Sequence, residues 1–130
     1  MNKQELAVNL KHSGNNCCQA VLLAYAEELK LPEELLRKLG AGFGTGMGCM
    51  ESTCGALCGA ELLLGLSQYN GRPVLADARK IHDAFTQKTG ASICKDLKGI
   101  TTGTMLCSCD DCVRYAVEIA ELYLKKELST

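Results

Sequence analysis

Apolar residues recur at helical intervals along most of the chain. Leu6 and Leu10, four apart within Asn2 to Lys11, predict a short amphipathic helix, and Ser13-Gly14-Asn15 breaks it before a longer helical run from Asn16 to Lys30. Pro32 at a first-turn position, with Glu33 and Glu34 behind it, opens another helix that reaches Leu39 and stops at Gly40. Ser52 to Leu66 is apolar on most faces, as a buried helix should be, although Gly55, Gly59 and Gly65 lie within it. Val74, Ala78, Ile81 and Phe85 make one stripe from Pro73 to Gly90, and Val113, Ala116, Val117, Ala120 and Leu124 make another in the last helix. No segment alternates with period two. The pattern predicts an all-α, single-domain bundle of about five to six helices.

Glycine falls at every second position from Gly40 to Gly48. A dinucleotide-binding loop needs a preceding strand and a particular glycine spacing, and both are missing. Two readings stay open: a flexible loop that closes over a thiolate or cluster near Cys49 and Cys54, or a tight connection packed against the bundle.

Length suits one domain, 1–130, and no Pro-, Ser- or charge-rich stretch divides it. The formal net charge of -1 leaves no basic face for nucleic acid or for a membrane surface. Met1 to Leu10 lacks the apolar centre of a signal peptide, and no apolar run approaches the roughly 18 residues of a membrane span. A cytoplasmic setting is therefore expected, where disulfide scaffolds are rare. This matters because nine of the 130 residues are cysteine, an odd number that leaves at least one thiol unpaired within the chain. Catalysis, redox sensing or metal ligation is favoured over structural disulfides.

The placement of the cysteines narrows the chemistry. Cys17, Cys54, Cys94 and Cys109 each follow, by one or two residues, a side chain able to cap a helix: Asn15 or Asn16, Ser52, Ser92 and Ser108. A helix start has unpaired N–H groups and partial positive charge, so a thiol there is expected to shift towards thiolate, the form that attacks disulfides and binds metals. In Cys54-Gly55-Ala56-Leu57-Cys58-Gly59 the two thiols share one helix face, with a geometry better suited to ligation, or to thiols elsewhere, than to a mutual disulfide. Cys109 and Cys112 make a C-x-x-C pair at the start of the last helix, the placement used by dithiol redox proteins, although no preceding strand supports a thioredoxin fold. Asp110 and Asp111 suit the helix terminus but add negative charge beside those thiols. Zinc-finger, ferredoxin and attached-haem spacings are absent. His12 and His82 read as solvated, the methionines beside cysteines as gap fillers, and Glu118 to Glu127 as a solvated face.

Four segments together resemble one family. Gly14-Asn15-Asn16-Cys17-Cys18-Gln19-Ala20-Val21 looks like its N-C-x-Q-A-V element, and Thr53 to Gly59 carries its C-G-A-x-x-G signature. Cys94-Lys95-Asp96-Leu97-Lys98-Gly99 is similar to its C-x-x-L-x-G, and Cys109 to Ala116 to its final C-x-x-x-V-x-x-A. In order and spacing the chain resembles the C_GCAxxG_C_C family of small bacterial redox-active proteins defined by four cysteines. The resemblance gives those roles to Cys17, Cys54, Cys94 and Cys109, and implies kinship with the iron–sulfur domain of split-Soret cytochrome c. Cys18, Cys49, Cys58, Cys107 and Cys112 depart from the minimal pattern.

The leading expectation is cysteine-based redox chemistry with an unidentified redox partner protein. It leaves open one-electron transfer through an iron–sulfur cluster or other metal held by Cys17, Cys54, Cys94 and Cys109, and two-electron dithiol exchange involving Cys54, Cys109 and Cys112. The alternative is a non-catalytic helical module with a structural zinc–thiolate site. Neither nucleic-acid binding nor membrane insertion is expected, and homo-oligomerisation is left open.

Overall fold

A computed structural model describes residues 2–128, with the side chains of 2–124. Among the described residues there are nine helices, six of them of seven residues or more, and no strand. The all-α architecture is as the apolar periodicity predicts. The first helix, α1 (Lys3–His12), is capped by Asn2, whose side chain accepts the Glu5 N–H at 2.9 Å. Asn16 caps α2 (Cys17–Leu23) through a reciprocal pair: it accepts from the Gln19 N–H at 2.8 Å, and the Gln19 side chain accepts from the Asn16 N–H at 2.9 Å.

The helical run expected from Asn16 to Lys30 is divided. Backbone angles leave the helix at Tyr25 (φ -111°, ψ 14°), where the buried ring docks on the last helix and its hydroxyl donates to the Val117 carbonyl at 3.2 Å. A short α3 (Ala26–Leu29) follows and closes at left-handed Lys30. Pro32 then precedes α4 (Glu33–Gly40), and a tight turn labelled α5 (Gly44–Met47) ends the glycine-rich connection. The long elements are α6 (Gly55–Gln68), α7 (Leu75–Thr89) and α9 (Cys109–Leu128), with a short α8 (Cys94–Lys98) between the last two.

The core lies where α6 packs on α2 and α9, with α1 and α7 against α9 and α4 against α2. Leu57, Leu63 and Leu64 of α6 are buried together with Val21 and Leu22 of α2, Phe85 of α7, and Val113 and Val117 of α9. Each such side chain contributes about 1.5–3 kcal/mol when removed from water, which offsets the poor helix propensity of the glycines in α6. Gly59 is a contact point: a Cβ there would lie 2.8 Å from the Val21 Cβ and 3.1 Å from the Cys18 carbonyl oxygen. Its lack of a side chain lets α2 and α6 approach closely.

Two expected caps are corrected. Ser52 and Ser92 do not start helices; Cys54 itself is the N-cap of α6, and Ile93 that of α8. The two serines instead flank an antiparallel bridge between Thr53 and Ile93, in which the Cys54 N–H donates to the Ser92 carbonyl at 2.8 Å and the Cys94 N–H to the Ser52 carbonyl at 3.0 Å. Ser108 does act as a cap for α9, its hydroxyl accepting the Asp111 N–H at 3.1 Å.

The glycines of α6 provide a test with opposite signs. Gly59→Ala should destabilise the protein by about 1–3 kcal/mol through overpacking against Val21. Gly65→Ala, where an added Cβ meets nothing within 4 Å, should stabilise it by about 0.5–1 kcal/mol through helix propensity. Urea unfolding of the two variants reads both changes.

Candidate redox site

Helix starts gather around one cavity. Cys17 is the first residue of α2, Cys54 the N-cap of α6, Cys94 the first residue of α8 and Cys109 the first of α9. All four line a cavity of about 340 Å³, together with Cys112 one turn further along α9 and Lys98 at the end of α8. The Thr53–Ile93 bridge places Cys54 and Cys94 side by side, because each donates its backbone N–H across it. Cys109 and Cys17 are half-buried, whereas Cys54, Cys94 and Cys112 are buried.

The glycine-rich connection forms part of the cavity wall. Of its two expected roles, the structure shows the tight connection: Thr45 (φ 54°), Gly46 (φ 58°), Met47 (φ 60°) and Met50 (φ 63°) all take left-handed backbone. For a residue with a side chain this costs about 1–2 kcal/mol, so the surrounding contacts must hold it. A Cβ on Gly46 would fall 2.6 Å from the Cys94 Cβ, and the Met50 carbonyl accepts the Lys95 N–H at 2.8 Å. The turn is therefore docked on α8, with Thr45 and Met50 facing the cavity.

The other cysteines lie elsewhere. Cys18 is buried in the core, Cys49 is exposed on the connection, Cys58 opens onto a second cavity on another side of α6, and Cys107 is buried beside Cys112. All nine are free thiols. Among the described residues, no three His, Cys, Asp or Glu side chains are grouped as ligands of a single metal ion.

The family model C_GCAxxG_C_C, with the description "Putative redox-active protein", matches residues 15–123. The chain belongs to the C_GCAxxG_C_C family. No curated protein and no solved structure matches it. Among the described residues, no helix is long and apolar enough to cross a membrane.

In this C_GCAxxG_C_C protein the thiols are electrostatically unequal. Cys54 is held down at about 7, first by the neighbouring Cys112 thiol, with further help from the N–H groups of Ala56 and Leu57 and the Lys98 ammonium; burial works against them. Cys112, whose S–H donates to the Cys107 carbonyl at 4.0 Å, is pushed far above the ordinary thiol range, chiefly by the neighbouring Cys54, and burial adds to this. The C-x-x-C of α9 thus places Cys112 against Cys54 of α6, while Cys109 faces the same cavity from the helix start.

Burial overrides the helix start at other positions. It raises Cys17 to about 11, with the charge of Cys54 adding to it, and it raises Cys94 despite the opposing pull of Lys98. The expectation that every first-turn thiol shifts towards thiolate is corrected there. Cys58 moves up to about 11 by burial, with Cys54 and Glu61 adding to the shift. The carboxylates beside the C-x-x-C are engaged by basic side chains: Asp110 meets His12 at 2.9 Å and Lys11 at 3.1 Å, and Asp111 meets Arg114 at 2.8 Å. Those contacts spend their negative charge on α1 and α9 surface groups.

Lys98 was not singled out among the candidate residues. Its spacing from Cys94, i to i+4 in Cys94-Lys95-Asp96-Leu97-Lys98, is the sequence feature that would have placed it on the thiol's side of a short helix.

Since Cys54 is only 5% exposed, its ionisation is best read by thiolate ultraviolet absorbance instead of alkylation. The reduced, metal-free protein should show a thiol that ionises near pH 7, well below the other buried thiols. Cys112→Ala should raise that transition by removing the S–H donor, and Cys112→Ser, which retains a donor, should restore part of it.

Proposed function

We propose that this chain is a thiol redox protein in which Cys54 is the nucleophile and Cys112 the resolving thiol, acting on a disulfide carried by a partner protein. What supports this reading is that Cys54 of α6 and Cys112 of α9 line one cavity and shift each other's ionisation in opposite directions, Cys54 down and Cys112 up. Cys54 thiolate attacks one sulfur of the partner disulfide, a mixed disulfide forms, and the other partner sulfur leaves as thiolate and takes a proton. Cys54 has then lost the negative charge that held the Cys112 proton, so Cys112 becomes easier to deprotonate. Its thiolate attacks the Cys54 sulfur, forming the Cys54–Cys112 disulfide and releasing the second partner thiolate. Two electrons have moved from the chain to the partner. Lys98 stabilises the Cys54 thiolate before attack, and the exposed Ile100 and Met105, which line the cavity, provide an apolar lip for the partner.

A second reading is favoured by a separate observation, the arrival of Cys17, Cys54, Cys94 and Cys109 from four helix starts at one cavity of about 340 Å³. Four soft thiolates are a donor set suited to iron or zinc, and these residues would hold an iron–sulfur cluster. A bound cluster supplies one-electron transfer. The chain's own part is to present the sulfurs, exclude water through Leu97 and Met50, and place a cation, Lys98, beside the negative charge.

Anaerobic purification followed by visible spectroscopy, metal analysis and thiol titration separates the readings. On the dithiol reading the protein is colourless, and oxidised dithiothreitol converts it to a form with two fewer thiols. That change disappears in both Cys54→Ser and Cys112→Ser and persists in Cys109→Ser and Cys18→Ser. A coloured protein that loses its absorbance in Cys17→Ser, Cys54→Ser, Cys94→Ser and Cys109→Ser but keeps it in Cys112→Ser overturns the dithiol reading for the cluster. Colourless protein with stoichiometric zinc and no redox change overturns both for a structural site.

A further inference from the structure

We propose that the second cavity is a binding site for a small primary amine with a short apolar body, with the Glu61 carboxylate as the group that receives its ammonium. This cavity, of about 360 Å³, lies between α6 and α7 and is walled by Phe43, Leu57, Leu62, Cys58, Glu61 and His82. Its volume is within the range of small-ligand pockets, about 300–1,000 Å³, and most of its wall is apolar.

The Glu61 carboxyl is the feature without a structural explanation. Its Oε1 atom is buried and has no hydrogen-bond partner. Leaving a buried acceptor unpaired costs free energy, and the cost is larger when the acceptor is charged. Among the described residues no donor reaches Oε1. His82 faces Glu61 across the cavity from α7, but its Nδ1 is engaged by Asp83 at 3.2 Å. Cys58, one turn before Glu61, is a weak donor whose sulfur lies 3.9 Å from the Thr53 carbonyl. An ammonium supplies the missing donor and opposite charge together, and an alkyl chain on it would lie along Leu57, Leu62 and Phe43.

Burial raises the Glu61 carboxyl to about 7, and the opposing influence is His82. Of the elements packed on α6, namely α2, α5, α7 and α9, it is α7 that brings a titratable group, His82, to act on Glu61 among the described residues, and His82 favours the charged carboxylate; burial raises Cys58 on α6 itself. The ammonium of a simple alkylamine stays charged to about pH 10, as lysine does. The carboxyl is charged only above its own transition, so binding strengthens as pH rises through about 7. The ionised fraction of such a group climbs from about a tenth at pH 6 to about nine-tenths at pH 8, a roughly tenfold gain in affinity.

This inference is independent of the redox reading and is tested on the reduced, metal-free full chain. In amide NMR titrations, n-butylamine should perturb the Glu61, Leu62 and His82 region with an affinity that rises about tenfold from pH 6 to pH 8. n-Butanol, which has the same alkyl chain and no charge, should bind at least about tenfold more weakly at pH 8, and Glu61→Gln should weaken butylamine by a similar factor. The comparison of butylamine with butanol is made on the unmodified chain, so the test does not depend on the variant folding. No perturbation at about 100 mM butylamine, perturbation centred elsewhere, or equal binding of butylamine and butanol across that pH range would overturn the proposal.

Discussion

The site depends on two backbone hydrogen bonds. Cys54 N–H to Ser92 and Cys94 N–H to Ser52 form one rung between segments distant in the chain, and each rung end is also the start of a helix. The geometry follows from this constraint. Extended backbone at Cys54 (φ -52°, ψ 134°) puts its side chain at the N-cap, where the N–H groups of Ala56 and Leu57 favour a negative sulfur. The same rung fixes Cys94 beside it and leaves Gly46 no room for a side chain, which in turn holds the left-handed turn at Thr45 to Gly48 in place. A strained connection is kept because the helix it docks on is already anchored.

Within that frame, burial and specific partners compete for each thiol. Cys17, Cys54 and Cys94 are all at or beside the first turn of a helix, so the helix field alone would treat them alike. They diverge because the neighbouring Cys112 thiol lowers Cys54 and no such partner acts on the other two, while burial raises all three. Cys112 reached that position through the core: α9 packs on α6 along Val113 and Val117, and one turn of helix separates Cys112 from Cys109 at the cavity mouth. Packing of apolar residues therefore selects which sulfur ionises most easily.

Sequence periodicity made the long helices legible, since the stripes of α6, α7 and α9 are long enough to show a period and their faces are buried as it implies. Asn16 and Ser108 were legible as caps because each side chain bonds its own helix. Ser52 and Ser92 misled for a physical reason: their carbonyls, not their hydroxyls, carry the interaction, and a long-range rung has no local sequence signature. Tyr25 is similar, because its departure from the helix follows from a hydroxyl bond to Val117, far along the chain. The four helix-start cysteines could be picked out from local sequence, but the pairing of Cys54 with Cys112 could not, since it depends on how α6 and α9 cross.

The electrostatics of the cavity bear on which chemistry a metal-free chain can perform. The charge of Cys54 raises Cys17, Cys94, Cys107 and Cys112, so once Cys54 is ionised each further thiolate is opposed by its field as well as by burial. Lys98 favours charge on Cys54, whereas at Cys17 the pull of Lys11 and Lys98 together does not overcome burial and the Cys54 charge. In the metal-free cavity a charged Cys54 thus lies beside a Cys112 that keeps its proton. Ionising four thiols together requires positive charge from a bound metal in place of their protons, which makes occupancy steeply dependent on pH. The proton count therefore distinguishes a cavity holding one thiolate from one whose thiols have all given up their protons.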